Sequence, residues 1–158
     1  MIFVSVGTYK TGFDRLIKEV DRLANKKILK NVMAQVGRTK YAPQFIRYRR
    51  FFSQNEMNEL MKKSRFMIIP GGTGTISNGL KCGKKIIAVP RLERYDEAIN
   101  DHQTEITKFL EKQGKILAVY DIKDLENAVK KISKFHPKKT KHEECRIAEI
   151  IEKFINKN

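Results

Sequence analysis

Phe66-Met67-Ile68-Ile69-Pro70-Gly71-Gly72-Thr73-Gly74-Thr75-Ile76 sets an apolar run directly against a glycine-rich turn. Four apolar residues in a row, with no polar alternation, suit a strand buried on both faces. Residues 76–82 then read as helical, and Gly83 stands where a helix stop favours glycine. Residues 86–89 are apolar again and close at Pro90. Strand, glycine turn, helix and strand make one βαβ unit, which implies a parallel pair.

The same alternation extends both ways. Upstream, residues 2–6 form an apolar run ending at Gly7, and Phe13, Leu16, Ile17, Val20 and Leu23 recur at helical spacing. Residues 32–36 are a second strand, ended by Gly37, and residues 46–52 alternate enough to be a third. Ser53 with Glu56 three residues on has the spacing of a capping box, and Met57, Leu60 and Met61 give that helix its apolar face. Downstream, helices are expected over residues 101–113 and 121–133, with a strand over residues 116–119 between them. Ile147, Ile150, Ile151, Phe154 and Ile155 form an apolar stripe in a final helix over residues 143–155. The expected fold is α/β: a Rossmann-like, mostly parallel sheet of six or seven strands with helices on both faces. Residues 1–135 are expected to form this domain. Residues 136–158 read as a basic segment and an amphipathic helix, packed on the domain or on a partner.

A chain of 158 residues is one domain's worth. Its composition, 41% hydrophobic and 32% charged, is that of a globular protein and excludes a disordered or collagenous one. The 33 Lys and Arg against 18 acids leave a net charge of +15. Such a surplus attracts phosphates, whether on nucleic acid, nucleotides or an anionic membrane. No apolar run reaches the roughly 18 residues of a membrane span. The start lacks the basic flank and cleavage site of a signal peptide and reads as a strand. Cys82 and Cys145 form no CxxC, and two reduced thiols in a cytoplasmic protein are expected.

In doubly wound sheets ligands sit beyond the carboxyl ends of the strands. Gly71, Gly72, Thr73, Gly74 and Thr75 occupy such a place, at the opening of a helix. Glycines let backbone N–H groups approach a ligand, a helix N-terminus favours negative charge, and the two threonines add hydroxyls. A diphosphate is the natural guest. The competing reading is a turn that needs glycine for its geometry alone. Gly72-x-Gly74-x-x-Ser77 imitates a dinucleotide fingerprint but follows about the fourth strand. The first turn, Gly7 to Gly12, has the GxxxxG of a P-loop but continues with Phe13-Asp14 rather than Lys-Ser/Thr. A second cluster runs from Arg91 and Arg94 to Asp101, His102 and Gln103. There Arg91 or Arg94 suits a phosphate, Asp101 a helix cap, and Gln103 the hydroxyls of a sugar. The competing reading is a capped surface helix with a lone histidine.

These residues resemble the C-terminal domain of family 28 glycosyltransferases, the nucleotide-sugar half of the two-domain GT-B architecture. The resemblance rests on Gly71 to Ile76, Gly83 to Arg91, Asp101-His102-Gln103, Val4 to Thr8 with Phe13 to Leu16, and Ala34 to Gly37. Without a preceding acceptor domain, the set is similar to the stand-alone catalytic subunit of bipartite transferases, and it covers roughly residues 1–125. The resemblance implies an inverting, metal-independent hexosyltransferase with no cofactor beyond its donor substrate. A UDP-sugar would give GlcNAc, glucuronic acid or galactose to a lipid-linked glycan acceptor. It implies a membrane-anchored acceptor-binding subunit as partner and a cytoplasmic location, peripheral at an anionic membrane face. Gly7, Thr8 and Gly72 to Thr75 would face the diphosphate. Gln103, with Asp101, would hold the sugar, and the backbone at Phe52 would read the base. Many relatives carry His where this chain has Pro70, and Glu, a ribose ligand, where it has Asn78. The general base is unassigned among Asp101, His102, Asp14 and a partner residue.

Other features carry less. His136, His142, Glu143 and Cys145 fit no zinc spacing and read as solvated tail residues. Residues 130–142 hold six lysines and no acid, as a membrane-facing segment would. Tyr41, Tyr48, Arg47, Arg49 and Arg50 interleave aromatic and basic side chains, but no nucleic-acid-binding motif accompanies them, so nucleic acid is not an expected partner. Two readings from other classes remain open: a non-catalytic accessory subunit of a transferase, and a basic nucleic-acid-binding Rossmann domain.

Overall fold

The computed structural model describes residues 1–138. The elements run β1 (Ile2–Ser5), α1 (Asp14–Asn25), β2 (Val32–Gln35), β3 (Arg47–Arg49), α2 (Gln54–Lys63), β4 (Phe66–Pro70), α3 (Thr73–Lys81), β5 (Lys85–Val89), α4 (His102–Lys112), β6 (Leu117–Ala118) and α5 (Leu125–Ile132). Short 3₁₀ turns, Glu93–Tyr95 and Ile122–Asp124, precede α4 and α5. The expected helix over residues 143–155 lies outside the described residues.

The six strands form one sheet in the order β3-β2-β1-β4-β5-β6, and all five neighbouring pairs are parallel. The Rossmann-like expectation therefore holds. The chain steps outward from β1 to β3, returns to place β4 beside β1, and steps out the other way. The reversal opens a crevice at the carboxyl ends of β1 and β4, where such folds bind ligands.

Side chains of each central strand alternate between two cores, which is why these strands read as unbroken apolar runs. Val4, Phe66, Ile68, Ile87 and Val89 face one core, shared with Leu16, Ile17 and Val20 of α1 and with Leu125 and Ile132 of α5. Phe3, Met67, Ile69, Ile86 and Ala88 face the other, shared with Met61 of α2, Ile76 of α3, and Ile106 and Leu110 of α4. Burying each large side chain contributes about 1.5–3 kcal/mol. Helices therefore cover both faces and hold the strand ends in fixed relation.

Local signals worked well where they depend on near neighbours. Ser53 and Glu56 form the full capping box of α2. Gly83 adopts φ +65°, and the chain leaves α3 through bonds from Gly83 to Leu80 and from Lys84 to Gly79. Other boundaries moved. α3 begins at Thr73, three residues earlier than expected, because the glycine turn itself supplies its first turn. β3 keeps three residues, all exposed, at the edge of the sheet. Its basic side chains discourage further strand pairing. Asp101 does not cap α4 with its side chain; its Oδ1 accepts the N–H of Glu93 at 2.9 Å.

Candidate functional site

Three loops meet at the crevice, and named contacts hold them together. Gly71 packs against α4 so closely that an added Cβ would lie 2.5 Å from Thr107 Oγ1 and 2.8 Å from the Gln103 carbonyl oxygen. That approach sets Gln103 beside the glycine turn. The Gln103 side-chain carbonyl accepts the N–H of Arg91 at 3.0 Å. Arg91 in turn reaches under the crevice to the first turn of the chain, donating to Val6 O at 2.9 Å and Gly12 O at 2.7 Å.

The expectation that Arg91 meets a phosphate needs correction. The side chain is 1% exposed, packs on the Phe13 ring at 4.6 Å, and spends its donors on backbone carbonyls, Glu97 O at 3.2 Å included. Burial pushes its pKa down to about 10, against the opposing pull of Glu97. Arg91 is thus a strut between the loops after β1 and β5. Glu97, also buried, takes a two-pronged bond from Arg15 at 3.0 and 2.8 Å, and its backbone oxygen accepts from Thr11. Arg94 is exposed beside Tyr95, with 4.9 Å from the guanidinium carbon to the ring centroid.

Gln35 ties the other side. Its Nε2 donates to Gly7 O at 3.3 Å and Ser5 Oγ at 3.4 Å, and its Oε1 accepts the N–H of Phe52 at 3.0 Å. Gly7 sits at φ +74°, which favours glycine, and its N–H bonds Ser5 Oγ. The Phe52 N–H is therefore committed within the protein, which leaves the carbonyl of that residue as the backbone group for a ligand. Its ring packs edge-on against Phe3 at 6.4 Å.

The glycine turn splits by cause. Gly71 is required by packing, as above. Gly72 is not: its φ of −73° and ψ of 132° suit any residue, and an added Cβ would meet nothing within 4 Å. Gly74 also has open space at its Cβ. As a helical residue it costs about 1 kcal/mol relative to alanine. Gly72 brings no side chain to cap α3, so its first-turn N–H groups face the crevice edge with Thr73 and Thr75 beside them. Backbone donors and helix dipole here suit an anion. Thr8 and Asn78 are exposed, Asn78 one turn further along α3.

Of the proposed bases, Asp14 needs a second correction. Its carboxylate accepts the N–H groups of Tyr41 at 2.8 Å and Lys40 at 3.4 Å, so it anchors the loop of residues 37–46 to α1. Asp21, two turns on and 1% exposed, grips the same loop through Tyr41 Oη at 2.7 Å and the N–H groups of Gln44 and Phe45. Tyr41 is half-buried and packs against the core beside α1, whereas Arg47, Tyr48, Arg49 and Arg50 are exposed. His102 is exposed, with Nδ1 3.4 Å from Glu105. Asp101 keeps one carboxylate oxygen beyond its bond to Glu93.

The family model for the glycosyltransferase family 28 C-terminal domain matches residues 1–156. The chain belongs to that family. It is therefore a glycosyltransferase-type domain, and its sheet is the Rossmann-like half of the GT-B fold. A solution structure of ALG13 matches with a TM-score of 0.63 at 17% identity, over 90% of each chain. The glycotransferase of kitacinnamycin gives the same TM-score and identity over 84% of this chain, and MurG of Acinetobacter baumannii gives 0.58 at 18% identity over 96%. The family 28 domain spans 34% of the first of these two and 49% of the second. A search of curated proteins finds no match. Among the described residues no helix is long and apolar enough to cross a membrane, and no three His, Cys, Asp or Glu side chains cluster to hold a metal.

Of the residues singled out in the sequence, the structure sets Gln103 against Gly71 and joins Gly7 to Phe52 through Gln35. Sequence reasoning missed Glu97, Arg15 and Asp21 as the groups that stiffen the crevice. Arg15 meets Glu97 across 82 residues, Thr11 meets it across 86 and Tyr41 meets Asp21 across 20, and no local pattern marks these pairs.

Proposed function

We propose that this domain binds a UDP-sugar and transfers its hexose, with inversion and without a metal or further cofactor, to a lipid-linked acceptor held by a membrane-anchored partner subunit. The observation that carries the reading is Gly72. Neither backbone conformation nor packing asks for glycine there, and the position opens a helix at the switch point of the sheet. A diphosphate lying against that backbone supplies the reason.

The chemistry follows from the same geometry. When the acceptor hydroxyl attacks the anomeric carbon, negative charge grows on the departing diphosphate. The N–H groups of the first α3 turn and the Thr73 and Thr75 hydroxyls would stabilise it. Preorganised donors of this kind contribute about 3–4 kcal/mol to a transition state. Gln103 would orient the sugar, and the strut of Arg91 would keep the loops after β1 and β5 at a fixed spacing. Because both carboxylate oxygens of Asp14 hold backbone N–H groups while Asp101 keeps one free, the base is assigned to Asp101, His102 or the partner.

The test is a calorimetric screen of UDP, UDP-GlcNAc, UDP-glucuronate, UDP-galactose and UDP-glucose with the purified chain. Saturable binding of UDP, tighter for one sugar, supports the reading. Binding of duplex DNA in preference to every one of them would replace it with the nucleic-acid alternative. Donor binding without transfer, even with a partner and acceptor supplied, would favour an accessory role.

A further inference from the structure

On the α1 side of the crevice, away from the glycine turn, lies an open pocket of about 700 Å³. Lys10, Lys18, Arg38 and Lys40 line it, together with the Arg15–Glu97 pair. We propose that this pocket is a second phosphate-binding site, separate from the one at Gly72 to Thr75, for a phosphate or diphosphate group.

Charge is the first argument. The lining carries five cations and three carboxylates. Glu97 is committed to Arg15, and Asp14 to the N–H groups of Lys40 and Tyr41. Asp96 alone is left to face Lys10, Lys18, Arg38 and Lys40. Among the described residues none of these four makes an ion pair. Like charges gathered in a concave site repel one another and raise the local concentration of anions.

Rigidity is the second argument, because surface lysines on a loose loop would spread apart. The backbone that carries these four is tied down. The Thr39 hydroxyl, between Arg38 and Lys40, accepts the N–H of Phe13 at 3.1 Å, and Thr39 is buried. Gly12 lets the two loops touch, since an added Cβ would lie 2.9 Å from Arg38 O and from Thr39 Cα. Next to Lys10, Thr11 donates to Glu97 O at 2.9 Å. Lys18 stands on α1 one turn beyond Asp14, with its ammonium 5.9 Å from the Tyr41 ring centroid. Several fixed cations around one cavity match the multiple charge of a phosphate better than a lone carboxylate.

The pocket and the glycine turn lie on opposite faces of the same sheet edge. Lys10 to Gly12 and Gly7 belong to one loop. This inference rests on the proposed function only in treating the site at Gly72 as the donor's. The phosphate could be carried by a lipid headgroup or by a soluble molecule.

The experiment titrates inorganic pyrophosphate into the full chain, with and without saturating UDP, and measures co-sedimentation with phosphatidylglycerol and phosphatidylcholine vesicles. Lys18→Ala/Arg38→Ala/Lys40→Ala is compared with Lys30→Ala/Lys81→Ala/Lys112→Ala, a charge-matched change of exposed lysines at the opposite end of the sheet. Lys18→Glu is a single-site check. The expected result is pyrophosphate binding that persists under saturating UDP and weakens about tenfold or more in the pocket variant, with UDP affinity unchanged. If the pocket variant loses phosphatidylglycerol binding selectively while pyrophosphate does not saturate, the phosphate is a lipid's. If the two triple variants weaken both ligands equally, or neither does, the pocket is only part of a diffuse basic surface and the proposal fails. If UDP does not bind at all, the donor reading fails, while the pyrophosphate titration without UDP still decides the pocket.

Discussion

The side-chain carbonyl of Gln103 accepts the backbone N–H of Arg91 at 3.0 Å, and this bond fixes which way the amide faces. One acceptor site of Oε1 is thereby taken, and the Nε2 donors stay free for a ligand. The residue expected to hold a sugar therefore offers chiefly donors, to hydroxyls that accept. The anchor is firm because Arg91 is itself held by Val6, Gly12 and Glu97 carbonyls.

Gln103→Ala should weaken UDP-sugar binding by about 0.5–1.5 kcal/mol and barely change UDP binding. Gln103→Glu keeps an acceptor for Arg91 but loses the donors, so it should fold normally and share the sugar-specific defect. Calorimetry with UDP and the preferred UDP-sugar checks both. Equal losses for the two ligands would move Gln103 to the nucleotide or to the fold.

Gly71 and Gly72 should separate fold from ligand. Gly71→Ala forces a Cβ onto Thr107 Oγ1 and the backbone of α4, and should cost about 1–3 kcal/mol of stability. Gly72→Val enters open space and should leave the melting temperature near that of wild type, while UDP binding falls. Thermal melts and UDP titrations of the two variants are the measurement. Undiminished UDP affinity in folded Gly72→Val would make the turn purely structural.

UDP should bind equally well with EDTA and with added magnesium, since the donors are N–H groups and hydroxyls. Thr75→Val should weaken UDP in both buffers by the loss of one hydroxyl. A titration that requires the divalent ion would remove α3 from the role of charge partner.

Gln35→Leu should harm the nucleotide as a whole more than its parts. The side chain ties Gly7 to Phe52, the two residues proposed to lie beside the diphosphate and the base. Its loss leaves the Phe52 N–H and Gly7 carbonyl without this partner, at a cost of about 1–3 kcal/mol in stability. Uridine alone and pyrophosphate alone should bind nearly as before, while UDP, which needs both loops at one spacing, should bind less tightly. Parallel losses for all three would mean general unfolding.

Stability in acid should depend on Glu56. The N–H of Ser53 at 2.9 Å, then the Ser53 hydroxyl and Arg49, hold its carboxyl below the ordinary 4.5. A carboxylate whose pKa is lowered by folding contributes stability above its unfolded value and loses it as pH falls through the folded one. Urea unfolding below pH 4.5 should therefore show a steeper decline for wild type than for Glu56→Gln. At neutral pH, Ser53→Ala should cost about 1 kcal/mol.

The sequence by itself determined the α/β class, the parallel sheet, the two-sided burial of β4 and β5, the α2 cap and the stop at Gly83. Each of these depends on side-chain periodicity or on residues within four positions of one another, so the local chain carries the whole signal. It also marked the glycine turn and Gln103, because their residue types suit the chemistry at a strand end. Tertiary structure alone decided that β1 and β4 are neighbours and that the crevice opens between them. It alone turned Arg91 inward, set Asp14 and Asp21 to hold a loop, and joined Arg15 to Glu97 across 82 residues. The physical reason is common to all of these. A buried charge must find its partners among whatever groups the strand order brings within hydrogen-bond reach, and that order is a property of the packed sheet rather than of any segment of the chain.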